Sequence, residues 1–253
     1  MPLLKVVLAT TNPRLDASDS VPSTPAAKPV HFFDRGWFAE HYEWQQLVSL
    51  GFRLEIGGTH LSRTMMLAEL RHVLDAVPQP TGEQLRCLVV DQNVLQKRTG
   101  SARRLSLRHL RELYGLGATL PISRAMISLW PRAGEGQPML ALLAALAREV
   151  LLRDSAEVVL AAPAGTRVRA ADFASLLEER YSSRYTLKML AKIARNCASS
   201  WTQSGHLRGR VRKVRTNPQV TSAVAAYAAL LGSLAGFGGP ALLASPWIAV
   251  LDR

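Results

Sequence analysis

Residues 186–215, TLKMLAKIARNCASSWTQSGHLRGRVRKVR, join a helical pattern to a run of cations. Thr186 is a fitting N-cap for a helix running to Trp201. Gly205 suits the position just past its C-terminus. Lys188, Lys192 and Arg195 recur at spacings of four and three, which places them on one helical face. Like charges so spaced repel, costing about 0.2–0.5 kcal/mol per pair in an isolated helix. Nothing acidic nearby in sequence relieves them, whereas a phosphate backbone would. Arg208, Arg210, Arg212, Lys213 and Arg215 then fall within eight residues, in a segment that reads as a short strand or extended wing. A helix, a glycine and a cationic wing match the layout of a winged helix-turn-helix.

The charge of the whole chain points the same way. Across 253 residues, 31 Lys and Arg face 19 Asp and Glu, a formal charge of +12. That excess favours polyanions: nucleic acid, an acidic leaflet or an acidic partner. Its placement says more than its size. From Arg180 to Leu251 there are ten Lys or Arg and no Asp or Glu.

A second basic cluster comprises Lys97, Arg98, Arg103, Arg104, Arg108 and Arg111. Thr81 with Gln84 forms a capping box, and Leu85, Leu88 and Val89 open the helix that follows. Residues 96–101 read as a polar connection in which Thr99 stands, with Ser101 capping a next helix that stops near Gly115 and Gly117. Leu107, Leu110 and Tyr114 face inward on that helix, while Arg103, Arg104, Arg108 and Arg111 face solvent. Helix, short connection and basic second helix, over residues 83–114, again follow the helix-turn-helix plan.

Elsewhere the periodicities are helical. Leu61–Val77 carries an apolar face closed by Pro78, and Met139–Leu152 is almost continuously apolar, a helix buried on most sides. Residues 172–180 form a further helix. Residues 131–138 and the Pro163–Gly165 segment read as loops, and Glu157–Leu160 is a weak strand candidate. The aromatic residues of 31–50 are expected to pack on a core. Residues 1–30 read as a flexible, proline-rich leader. The organisation expected is a mainly α, compact chain: a helical domain over 31–180 and a C-terminal helical part over 181–253 bearing the basic wing 208–215.

From Thr216 to Val250 no side chain is charged. A membrane span needs about twenty mostly apolar residues, but Gly236, Gly238, Gly239 and Pro240 interrupt the run, so a buried core helix is the better reading. The N-terminal apolar run is too short for a secretory signal, and a cytoplasmic location is expected. Cys87 and Cys197 are read as buried small hydrophobes.

Motifs for chemistry are wanting. No Walker loop, dinucleotide fingerprint, nucleophile elbow or His-Glu-x-x-His occurs, and the six histidines are scattered. No catalytic residue, cofactor or metal is therefore expected. His60–Arg63 matches the His-x-x-Arg of tyrosine recombinases, a four-letter pattern that arises often by chance.

Two stretches, LSRTMMLAEL at 61–70 and NVLQKRTGSARR at 93–104, resemble the BrxA family, small accessory proteins of BREX (bacteriophage exclusion) clusters. The resemblance implies a compact helical cytoplasmic protein, NusB-like in its core. It also implies double-stranded DNA binding without catalysis, beside a methyltransferase, an ATPase and a phosphatase-like component. It places Lys97, Arg98, Arg103 and Arg104 in the helix-turn-helix region. The alternative is a membrane-surface or membrane-anchored scaffold using 208–215 and 220–250.

Overall fold

The chain folds around its most apolar stretch. The computed structural model describes residues 36–40 and 43–251; the leader, and the aromatics at positions 32, 33 and 42, lie outside these. In chain order the helices are α1 (Trp44–Leu50), α2 (Leu67–Ala76), α3 (Gly82–Arg86), α4 (Gly100–Tyr114), α5 (Pro121–Ala133), α6 (Gln137–Arg148), α7 (Val150–Asp154) and α8 (Ala156–Leu160). A π-helical turn, Cys87–Asp91, extends α3. Then come β1 (Arg167–Val168), α9 (Ala170–Tyr181), α10 (Leu187–Gln203), β2 (Leu207–Arg208), β3 (Lys213–Arg215), α11 (Ser222–Leu234), α12 (Gly239–Leu243) and α13 (Pro246–Ala249). The protein is mainly helical, and the described residues include a three-stranded sheet in the order β1-β3-β2.

Helix α6 is the axis. Every residue from Met139 to Ala147 is at most 2% exposed, and α4, α5, α10 and α11 all pack against it. Alternating Leu and Ala let neighbours approach on all sides, as a helix apolar all round requires. One continuous core runs from Trp37 to Leu251 among the described residues.

The apolar run 139–152 does not form one helix. Glu149 is extended (φ −134°, ψ 101°), which breaks the ladder between α6 and α7. The released carbonyls are taken up: Leu146 O accepts from Arg153 Nη1 (2.6 Å) and Ala147 O from the Arg53 amide (3.0 Å). The buried Glu149 carboxylate accepts from the amides of Thr59 (2.8 Å) and His60 (3.2 Å) and meets His60 Nδ1 at 3.0 Å. His60 Nε2 lies 2.8 Å from Ser200 Oγ, which accepts from Met65 N (2.9 Å) and contacts Asn196 O (3.0 Å). Ser200, His60 and Glu149 are spaced as in a nucleophilic triad. All three are fully buried and Ser200 Oγ is saturated within the core, so the arrangement clasps three segments together. The His60 of the recombinase-like pattern is thereby a core residue.

Several boundaries differ from the sequence expectation. The helix expected from Leu61 begins at Leu67, because Met66 is left-handed (φ 54°) and the amides of Met65 and Leu67 are held by Ser200 and Gln203 of α10. Residues 131–138 are mostly helical, Pro131 lying in the last turn of α5 and Pro138 in the first turn of α6. Glu157–Leu160 is helix α8, not a strand. The cap of α4 is Thr99, whose side chain accepts from Ala102 N (3.1 Å), and Ser101 sits inside the first turn. The Thr81–Gln84 capping box, the Thr186 cap and the left-handed Gly115 terminus stand where the sequence puts them. Cys197 is buried and Cys87 half-buried.

The uncharged segment supplies α11, whose Ala223, Val224, Tyr227, Ala228 and Leu231 are buried against α5, α6 and α13. At thirteen residues it spans about 20 Å, short of a bilayer's hydrocarbon thickness of about 30 Å. Among the described residues no helix is long and apolar enough to cross a membrane.

These buried polar groups have measurable consequences for stability. Replacing Glu149 by Ala strands three donors in the core, and urea unfolding should show a loss of about 3–5 kcal/mol; a loss below about 1 kcal/mol would mean that the clasp is dispensable. The His206 ring contacts Ser204 Oγ and Val250 O, both at 2.8 Å, and burial, with the nearby Arg215 charge, pushes its pKa down to about 3. Its unfolded value is about 6.5, so the unfolded chain binds the proton first. Stability is full above about pH 6.5 and falls as pH drops toward 3, by about 2–3 kcal/mol at about pH 4.5. His206→Gln should flatten that part of the pH profile, and an unchanged profile would place the acid sensitivity elsewhere.

Candidate nucleic-acid interface

Helix α10 is divided lengthwise. Leu190, Ile193, Ala194, Cys197 and Trp201 are buried on one side, and Lys188, Lys192 and Arg195 are exposed on the other. Ser199 and Thr202, neutral and half-buried, extend the same face toward the C-terminus. Thr186 caps the start, accepting from Met189 N at 3.4 Å, and residues 182–186 turn the chain from α9 into α10. Among the described residues between 180 and 251 no carboxylate offsets this row.

The segment 207–215 is a β-hairpin. Gly209 holds φ 108°, and a Cβ there would lie 2.1 Å from Arg212 O, so the tip closes tightly only with glycine. Arg208, Arg210 and Arg212 are exposed, and Val211 at the tip is 88% exposed. A groove of about 590 Å³ runs between α10 and the hairpin, lined among others by Arg195, Ser199, Thr202, Arg210 and Lys213. The cationic helix face and the cationic hairpin therefore border one concavity.

Not every expected cation faces outward. Arg215 is 2% exposed, and its guanidinium donates to Val159 O (2.9 Å), His206 O (3.2 Å) and Thr216 O. The cause is register: Arg215 pairs with the buried Leu207, and Lys213 with the buried Val168. Cross-strand partners point to the same side of a sheet. The expectation that Arg215 meets phosphate is corrected; it is a core residue. Lys213 is half-buried, with Nζ donating to Thr202 Oγ1 (2.8 Å) and Gly209 O (3.3 Å), and burial lowers its pKa. It ties the hairpin to α10.

The 97–111 cluster is sorted in the same way. Asn93 (φ 53°) and Gln96 (φ 51°) are left-handed, and the Asn93 side chain closes the loop on the Lys97 amide (2.8 Å) and carbonyl (3.1 Å). Lys97 is tethered to Glu69 of α2 at 3.0 Å, so it is not free for phosphate. Arg103, expected outward, folds back to donate to Val90 O at 3.1 Å. Thr99 is used as a cap. Arg98, Ser101, Arg104, Arg108 and Arg111 are exposed.

Sequence reasoning does not single out Arg167, exposed on β1 opposite Val214 of the hairpin, or Arg53 and Arg148, which gather beside α4. The Arg-Val-Arg alternation at 167–169 is a usable signal for the first; nothing local marks the other two. Among the described residues no group of His, Cys, Asp and Glu is arranged to hold a metal.

The contrast between Arg215 and Arg212 is testable. Arg215→Ala removes buried hydrogen bonds and should lower the melting temperature by several degrees, whereas Arg212→Ala should leave it within about a degree. Equal melting temperatures in differential scanning fluorimetry would contradict the assigned burial. Comparison of the chain with protein-family models and with curated proteins finds no match.

Proposed function

We propose that the protein is a non-enzymatic, double-stranded-DNA-binding component of a BREX-type anti-phage defence system. Its contacts with the duplex are mainly to phosphates. The observation that carries the DNA reading is one groove bordered by Arg195 of α10 on one side and Arg210 of the hairpin on the other, with no carboxylate in its lining. The element order β1-α9-α10-β2-β3 and the sheet order β1-β3-β2 support a winged helix-turn-helix, in which α10 lies toward the groove and the hairpin touches the backbone. The BREX assignment rests on the resemblance of residues 61–70 and 93–104 to BrxA. The methyltransferase, ATPase and phosphatase-like components are its proposed partners on the same ground, and cytoplasmic DNA is its proposed target.

The membrane-scaffold reading is less favoured, since no helix among the described residues is long and apolar enough to cross a membrane and Ala223, Val224, Tyr227, Ala228 and Leu231 of α11 are buried. The exposed set for phosphate is Lys188, Lys192, Arg195, Arg208, Arg210 and Arg212, with Arg98, Arg104 and Arg108 as a second patch.

Changing Lys192, Arg210 and Arg212 together to Glu should weaken binding of a duplex of about 20 base pairs at least tenfold. Attraction to phosphate becomes repulsion at three surface positions. The log–log salt slope should shrink by about 0.9 for each phosphate that is no longer neutralised. Fluorescence anisotropy across roughly 50–300 mM salt measures both. A folded triple variant that binds duplex like the wild type would overturn the reading.

A further inference from the structure

Five arginines converge on a cleft of about 370 Å³ at the open side of α4: Arg53, Arg104, Arg108, Arg111 and Arg148. Leu107 and Glu112 complete the lining. The carboxylates within reach are already engaged. Glu112 accepts from Thr59 Oγ1 (3.0 Å), meets His109 Nδ1 at 3.1 Å and lies 3.6 Å from Arg108 Nε. Glu149, beside Arg53 across Gly58, is held by Thr59 and His60.

The cleft is built rather than incidental. Arg148 is fixed by the carbonyls of Glu112 (2.8 Å) and Gly51, and Arg111 by Gly82 O (2.9 Å). Burial and the neighbouring Arg53 charge push the Arg148 pKa down to about 10, which leaves it cationic at neutral pH. Arg53 Nη1 is buried and has no hydrogen-bond partner among the described residues. A buried charged donor without an acceptor is costly, and an anion entering the cleft would add a compensating negative charge beside it.

We propose that this cleft binds a compact soluble ligand bearing a di- or triphosphate, a nucleoside polyphosphate being the class that fits. A duplex spreads its charge at one phosphate per about 3.4 Å of each strand, which suits the exposed rows on α10 and the hairpin. Here two half-buried guanidinium groups stand behind three exposed ones around one small open cleft, an arrangement that suits several negative charges held close together. Arginine's planar fork matches phosphate oxygens in pairs. Leu107 is the one apolar side chain in the lining, so the phosphates rather than the base carry recognition.

Arg104 and Arg108 border both this cleft and the second patch proposed for DNA, so Arg53, which belongs to the cleft alone, tells the two apart. Isothermal titration of the full chain, without divalent cations, uses inorganic tripolyphosphate, GTP and GMP as probes. One saturable site should appear for tripolyphosphate and GTP, with GMP at least tenfold weaker. Arg53→Gln should weaken tripolyphosphate at least tenfold while duplex affinity stays within twofold. If Arg53→Gln lowers the melting temperature, Arg108→Ala decides, because that side chain is 64% exposed and should still weaken tripolyphosphate severalfold. The Lys192, Arg210 and Arg212 triple variant should retain tripolyphosphate binding, whatever its affinity for DNA. Absence of a saturable site, or undiminished affinity in both arginine variants, overturns the proposal. So does a duplex that displaces tripolyphosphate and is weakened equally by Arg53→Gln.

Discussion

A buried carboxylate at a helix break organises this protein. Glu149 interrupts what would be one long apolar helix, and its side chain gathers the amides of Thr59 and His60 at that point. The break turns α7 and α8 away from the α6 axis, toward the sheet and α9. Through His60 and Ser200 the same carboxylate reaches α10. The helix that presents the cationic row is thus registered against the core by a polar contact, where apolar packing alone would tolerate sliding. Buried polar networks that are fully satisfied specify one arrangement in this way.

Arginine does two unrelated jobs in this chain. Arg153 and Arg215 are buried and direct their donors to carbonyls that helix and strand ends leave open. Arg148 does the same at the end of α4. Arg104, Arg108, Arg195, Arg208, Arg210 and Arg212 keep their guanidinium groups toward solvent. The net charge counts both kinds alike, and only the second contributes an outward field. The surface is nonetheless strongly basic, because the carboxylates near the core arginines are themselves engaged inside.

Local signals are legible in the sequence. The Thr81–Gln84 box, the Thr186 cap and the Gly115 stop depend on neighbours within a turn, and each lies where its residue types put it. The inward row Leu107, Leu110, Tyr114 is equally readable. What escapes depends on distant partners. Met66 adopts a left-handed backbone where α10 claims the amides on either side of it. Lys97 meets Glu69 from twenty-eight residues away. In RVRKVR the sequence places Arg215 with the outward cations, but its pairing with the buried Leu207 of β2 turns it inward, since a strand's facing is set by register and not by polarity. The arginine cleft is half visible: the α4 row follows from helical spacing, while Arg53 and Arg148 join it only through the packing of α6 beneath α4.

The aromatic closure between residues 37 and 247 has a bearing on biosynthesis. The Trp247 indole donates to Trp37 O at 2.8 Å across 210 positions, and the two rings meet edge to face at 4.8 Å. Phe38 and Phe52 complete the cluster. Because translation delivers residue 37 long before residue 247, this part of the core stays open while most of the chain emerges. Contacts of such separation are entropically late in folding, and until they form an aromatic surface is exposed to other nascent chains. Helices α4 and α6 are synthesised much earlier, so the arginine row of α4 has left the ribosome long before the aromatic cluster can close.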